Sequence, residues 1–298
     1  MRSAKLGKTW QLHAMMLPGI VLVFIFMYGP LPGIVLAFKD FIPSRGIFGS
    51  EWVGLETFEY MLLLPDSVQV FWNTLRIAFL KILFNFPVPI LVAVLLNEVR
   101  LTFFKRSVQT MIYLPHFLSW VILSGIFIDL FSQTGIVNRA LGWFGAEPIF
   151  FMGDPEHFIR MLVGTDVWKN FGYSTIIYLA AITGIDDALY ESAVIDGANR
   201  FKQIWHITIP CLSPIILLVL TLSLGGILDA GFDQVFNLYN PLVWSTADII
   251  DTYVYRLAIV DANYSLGTAI GLLKSVVGFV LIVSSYLLAK KYSGYTIF

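Results

Sequence analysis

The chain has 298 residues, of which 57% are hydrophobic and 13% charged, with a net charge of −1 and a mean hydropathy of +0.78. Soluble domains carry about a quarter of their residues as charges, so an ordinary water-soluble domain is excluded, and the near-neutral balance gives no electrostatic footprint for nucleic acid. A single cysteine, Cys211, excludes an internal disulfide framework and a cysteine-rich metal site.

A membrane-crossing helix needs about 20 largely apolar residues. Six segments qualify, at 16–38, 70–96, 108–131, 161–182, 210–232 and 266–289. They predict an all-α integral membrane protein with six transmembrane helices, residues 1–298 forming a single transmembrane domain. The first follows Arg2, Lys5 and Lys8, as a signal peptide would. It is too long for that role and lacks a small-residue cleavage site, so it reads as an uncleaved helix. Pro18, Pro30 and Pro32 bend or end it.

The connections at 39–69, 132–160 and 233–265 are long, and their glycine and proline content ("IPSRGIFGSEWVG", "LGWFGAEPIFFMGDP") reads as turns. The connection at 97–107 is short. Lysine and arginine favour the cytoplasmic side. With the amino terminus inside, ten such residues fall inside (Arg2, Lys5, Lys8, Arg100, Lys105, Arg106, Arg200, Lys202, Lys290, Lys291) and five outside (Lys39, Arg45, Arg139, Arg160, Arg256). Both termini are therefore expected in the cytoplasm, and Trp52, Trp143 and Trp244 then lie on the outer side.

Seven ionisable residues fall within the expected spans: Arg76, Lys81, Asp129, Asp166, Lys169, Asp229 and Lys274. Each costs about 2.5–3.5 kcal/mol at mid-membrane on insertion scales. Two readings stand. In one, the charges pair or reach the interface: Asp166 with Lys169 at i and i+3, Lys81 by extending outward. In the other, they line a polar cavity, with Trp168, Tyr173 and Phe232 as stacking platforms for sugar rings.

The segment 183–209 departs from its apolar surroundings. Asp186 or Asp187 can cap a short helix. Gly197 can take positive φ and end it. A second short helix then sets Phe201, Ile204, Trp205 and Thr208 along one side. With both termini inside, this segment is cytoplasmic. It is either a protruding knob offered to another protein or an amphipathic loop on the membrane surface.

The stretch "ESAVIDGANRFKQIWHITIP" resembles the EAA signature of ABC importer permeases: E-A-A, two residues, D-G-A, eight residues, I-x-L-P. Here Glu191-Ser192-Ala193 and Asp196-Gly197-Ala198 are followed, after eight residues, by Ile207-Thr208-Ile209-Pro210. Serine replaces the first alanine and isoleucine the leucine. "LLNEVRLTFFKRSVQTMIYLPHFLSW", "DVWKNFGYSTIIYLAAITGID" and "AGFDQVFNLYNPLV" extend the likeness along nearly the whole chain, towards carbohydrate-importer permeases that handle oligosaccharides from degraded plant or algal polysaccharides.

That resemblance implies a type I importer permease fold in a prokaryotic cytoplasmic membrane. It implies a second homologous permease, two cytoplasmic ATPases and an extracellular or periplasmic solute-binding protein as partners, with an oligosaccharide as cargo. It makes 183–209 the coupling segment. Glu191 is then an electrostatic partner for a basic ATPase residue, Gly197 the bend, and Ala193 and Ala198 points of close approach around Asp196. Arg200 meets an acidic ATPase group or lipid head groups. The solute path is expected along the helices flanking that segment, with Trp168, Asn170, Tyr173, Asp229 and Gln234 as candidates, joined by His116 and Ser119. A buried Asp229 carboxylate can accept two sugar hydroxyls; equally, it can pair with Lys274 or cap a broken helix.

No catalytic site, metal site or cofactor is expected in this chain. ATP and Mg²⁺ belong to the partner ATPases. "LGKT" at Leu6–Thr9 is only a fragment of a phosphate-binding loop, and the four histidines are scattered. The alternative is an ion-coupled secondary transporter or channel working without ATPases.

Overall fold

The computed structural model describes residues 3–293; Arg2, counted above towards the inner side, lies outside them. The described chain is mostly helical and divides into two compact parts. One runs to Leu64 and includes Val254–Leu273; the other holds Pro65–Tyr253 and continues from Lys274.

In the first part, helix α1 (Ser3–Val23) passes through Pro18 without ending. It widens into a π-helical turn at Phe24–Tyr28 and tightens into a 3₁₀ stretch at Leu31–Phe38. Pro30 and Pro32 sit where the pitch changes, because neither can donate an amide to the ladder. Almost every residue from Leu12 to Tyr28 is exposed. A helix apolar on all sides and packed against little suits lipid. A two-residue antiparallel ladder follows, Lys39–Asp40 against Glu51–Trp52. The Lys39 ammonium donates to the carbonyls of Ile47 (2.7 Å) and Ser50 (3.2 Å) and holds the loop closed. Helix α2 (Glu56–Leu63) completes the run to Leu64.

The second part is built on α3 (Pro65–Asn85), α4 (Pro87–Glu98), α5 (Thr102–Tyr113), α6 (Trp120–Leu130), α7 (Ile136–Trp143) and α8 (Pro155–Ile182). It continues with α9 (Asp187–Ile195), α10 (Arg200–Gly225), α11 (Phe232–Leu238) and α12 (Ile250–Tyr255). The last helix, α13 (Tyr264–Ser293), starts in the first part and ends in the second.

Helix α8 is the central post. Its amino terminus is set by Asp154, whose Oδ1 accepts the amides of Glu156 (3.0 Å) and His157 (2.9 Å), with Pro155 at the first helical position. The His157 amide and ring, followed by the Glu156 amide, hold the Asp154 carboxyl below the usual carboxylate range. Two apolar clusters meet on α8. One gathers Ile77, Leu123, Phe158, Leu162, Val235 and Ile249. The other gathers Ala93, Leu96, Tyr178, Ile182 and Leu212.

Gly172 is where α5 and α8 touch backbone to backbone. A Cβ there would fall on the carbonyl of Ile112, an overlap no rotamer relieves. Gly172→Val is therefore expected to abolish the close packing and cut the folded, detergent-extractable protein about tenfold or more, as overpacking of a rigid contact costs roughly 1–3 kcal/mol or more. Fluorescence-detected size exclusion checks it; an unchanged monodisperse peak would contradict the close approach.

Among the described residues, four helices are long and apolar enough to cross a membrane: Leu12–Phe38, Pro65–Glu98, Arg200–Gly225 and Tyr264–Ser284. Thr102–Phe117 and Trp120–Leu130 make a fifth crossing if the pair, bent by 103°, counts as one. The span expected at 108–131 falls on this bent pair. The expected span at 161–182 lies within α8, which carries Asp166, Lys169 and Asn170 and is not among the four. The span expected to reach 232 ends at Gly225, where two successive glycines favour leaving the helix.

Candidate functional site

Two groups of residues stand out. The first is the hairpin between α9 and α10. Asp186 caps α9, accepting the Ala188 amide at 3.0 Å. At the other end, the Ala198 amide reaches the Ala193 carbonyl (2.8 Å) and the Gly197 amide reaches the Val194 carbonyl (3.0 Å). This pair of bonds is the Schellman closure, which requires a left-handed residue after the cap, and Gly197 supplies it at φ 77°. The spacing from Ala193 through Asp196 and Gly197 to Ala198 is therefore the geometry of one helix ending.

Asn199, which the sequence reading passed over, caps α10 by accepting the Lys202 amide at 2.9 Å. Gln203 is buried and donates to the Ala198 carbonyl at 3.1 Å. The Tyr190 hydroxyl meets Thr208 Oγ1 at 2.9 Å and ties the two helices together. Thr208 is buried and faces α9, so it does not share an open face with Phe201 and Trp205. Val194, Ile195, Phe201 and Trp205 remain outside; Ile195 is 86% and Phe201 73% exposed. Glu191 is also exposed. Arg200 lies 3.9 Å from Glu98 of this same chain, an exposed pair of small energetic weight. The alanine variant of Asn199 is expected to lose about 1 kcal/mol, read as a lower melting temperature of the solubilised protein.

The second group lies among α3, α8 and α11. The Lys81 ammonium donates to the Ala230 carbonyl (2.7 Å) and Gln234 Oε1 (2.5 Å) and lies 3.5 Å from Asp166 Oδ1. Asn85 Nδ2 donates to Asp166 Oδ2 at 2.7 Å. Gln234 Nε2 donates to the Leu162 carbonyl (2.7 Å) and Thr165 Oγ1 (2.9 Å). Lys81, Asp166 and Gln234 are all buried. A buried charge persists only when paired and hydrogen-bonded, and this network meets that condition for Lys81. Beside it lies a cavity of about 360 Å³ lined by Lys81, Asn85, Asp166, Ser174, Tyr178, Ser223, Asp229 and Gly231, among others.

The chain matches the family of binding-protein-dependent transport system inner membrane components over residues 85–294. The chain belongs to this family. It is a multi-pass membrane protein and a permease subunit of an ABC importer. It is 44% identical over 289 residues to the polygalacturonan/rhamnogalacturonan transport system permease protein YteP of Bacillus subtilis, covering 97% of this chain and 90% of that one. It superposes with TM-score 0.89 and 38% identity on a chain of a bacterial ABC transporter that imports the acidic polysaccharide alginate, covering 98% of this chain and 99% of that one. A bacterial alginate transporter bound to a periplasmic protein carrying alginate pentasaccharide matches at TM-score 0.88 and 38% identity, over 97% and 96% of the two chains.

In this permease the expected solute-path residues separate. His116, Asn170 and Tyr173 come together: the His116 ring stacks on Tyr173 at 4.0 Å, and its Nδ1 lies 3.2 Å from Asn170 Oδ1. Ser119 caps α6, accepting the Ile122 amide at 3.4 Å. Trp168 is half exposed and packs edge-on against Phe127. Asp229 lines the cavity. Gln234 does not: it is fully buried with both polar atoms engaged, so it clamps the network and has nothing left to offer a solute.

The expected charge pairings also change. Asp166 is held by Lys81 and Asn85, while the Lys169 ammonium donates to the carbonyls of Pro115 (3.4 Å), His116 (2.8 Å) and Leu118 (2.5 Å). Those carbonyls belong to the break between α5 and α6, which the ammonium and its seat 5.4 Å over the Trp120 ring stabilise. Lys81 is buried and does not extend to the interface. Lys274 pairs with Asp251 at 2.5 Å, not with Asp229. Arg76 lines a separate, largely apolar groove with Glu156 and Arg160, and Asp129 is exposed.

Proposed function

We propose that this permease and a second homologous permease together form the membrane path for an oligosaccharide delivered by an extracellular or periplasmic solute-binding protein. It crosses a prokaryotic cytoplasmic membrane six times with both termini in the cytoplasm. The bent pair α5–α6 counts as one crossing and α8 as another, its Asp166 and Lys169 buried against neighbouring helices. The hairpin at 186–208 seats in a cleft of a cytoplasmic ATPase, with Ile195, Phe201 and Trp205 as the apolar contact and Glu191 facing a basic residue. Two ATPases bind and hydrolyse ATP with Mg²⁺; this chain holds no cofactor. The solute passes His116, Ser119, Trp168, Asn170, Tyr173 and Asp229.

The observation that carries this reading is the hairpin: a rigid, hydrogen-bonded turn that leaves four large apolar side chains without cover. Such a surface is costly unless a partner buries it. The oligosaccharide cargo is supported by what YteP and the alginate transporters are named for.

Proteoliposomes holding both permeases test the reading with the ATPases, ATP and the loaded solute-binding protein each omitted in turn. Uptake is expected only with the full set. Uptake by the permeases alone, driven by an ion gradient, would overturn it in favour of a secondary transporter.

A further inference from the structure

The cavity beside Lys81 has a bias in its hydrogen bonding. It is lined by one cation and two carboxylates: Lys81, Asp166 and Asp229. The cation is already engaged: its ammonium donates to the Ala230 carbonyl and Gln234 Oε1 and pairs with Asp166 Oδ1 at 3.5 Å. Lys169 and Lys274 are held by the Pro115–Leu118 carbonyls and by Asp251, and neither lines the cavity.

What remains open is mostly acceptor. Asn85 donates its Nδ2 to a carboxylate oxygen, which fixes the amide's orientation. Its Oδ1 is then a buried acceptor with no partner. Asp229 is exposed, and the bond its carboxylate makes is local, Oδ1 accepting the Gly231 amide at 3.2 Å. Ser223 spends its proton on the Val219 carbonyl at 2.9 Å and keeps its lone pairs. Ser174 and Tyr178 carry hydroxyls that serve either way.

We infer that this cavity accepts a neutral, hydroxyl-rich sugar unit as hydrogen-bond donor and disfavours a uronate unit. A sugar hydroxyl satisfies the exposed Asp229 carboxylate and the Ser223 lone pairs. A uronate carboxylate offers acceptors alone and adds a third negative charge. An oligosaccharide that bears carboxylates elsewhere presents its neutral unit here, its charged units being balanced outside this cavity. The inference rests on reading the cavity as part of the solute path.

The test uses the assembled importer in nanodiscs without the solute-binding protein, so that its own selectivity plays no part. A neutral trisaccharide, maltotriose, and a uronate one, trigalacturonate, are offered at equal concentration, and binding is followed by saturation-transfer NMR in the wild type and in Asp229→Asn. The neutral sugar is expected to bind the wild type more tightly. In the variant, the uronate-to-neutral ratio rises about tenfold, the scale of removing one like charge at short range. Tighter uronate binding to the wild type, or a ratio unmoved by Asp229→Asn, would overturn the inference. Binding of neither sugar would overturn it too, while ATP-driven uptake measured in parallel with the solute-binding protein shows whether the importer reading stands.

Discussion

Replacing Gly197 by valine is expected to abolish solute-stimulated ATP hydrolysis by the assembled importer, while asparagine at the same place preserves most of it. Gly197 sits at φ 77°, and nothing lies within 4 Å of where its Cβ would be. The effect is therefore backbone strain without a clash. A left-handed residue costs roughly 1–2 kcal/mol for most side chains and more for a β-branched one, and asparagine visits that region far more readily. A penalty of about 2 kcal/mol shifts the closed hairpin against open forms by about 30-fold. Immunoblotting of the membrane fraction separates lost coupling from lost insertion. Normal stimulation in the valine variant would show that the turn does not transmit the ATPase stroke.

Removing the Lys81 ammonium has the next largest effect, and it falls on stability. Lys81→Met leaves Asp166 buried against Asn85 without its cation, and leaves the Ala230 carbonyl and Gln234 Oε1 without a donor. Breaking a buried pair from one side costs roughly 3–5 kcal/mol. The solubilised protein should lose most of its folded fraction at temperatures the wild type survives. Adding Asp166→Leu is expected to recover much of that loss, since replacing both partners by apolar groups is often near neutral. A double variant as unstable as the single one would mean that Asp166 does not depend on Lys81. The measurement is a thermal melt of all three proteins followed by size exclusion.

Features written in consecutive residues were legible in the sequence. Asp186, Gly197 and the two alanines around it specify a helix end locally, and the structure forms that end where they stand. The start of α8 was also written locally, in Asp154-Pro155, although the apolar run concealed it by beginning six residues later. The buried charges were not legible in this way. Asp166 and Lys169 sit on one helix at a spacing that invites pairing, yet their partners come from residues 81, 85 and 115–118. Periodicity tells which face a residue occupies and says nothing of which distant helix packs against it. Gln234 shows the same limit: a polar residue next to Asp233 looks available, and only the packing reveals that it is enclosed. The break between α5 and α6 was hidden because hydropathy runs through it. Pro115, and Ser119 three residues before the amide it caps, were the signals that a ladder was interrupted.

Helix α8 runs unbroken for 28 residues from Pro155 to Ile182, about 42 Å at 1.5 Å per residue. It carries Lys169, Asn170 and Tyr173 in its middle and leads at its carboxyl end directly towards the hairpin. A rod of that length converts a tilt of about 5° at one end into a displacement of nearly 4 Å at the other. Lys169, near the middle of that rod, moves by about half as much, roughly 2 Å, sideways across the three carbonyls it bridges.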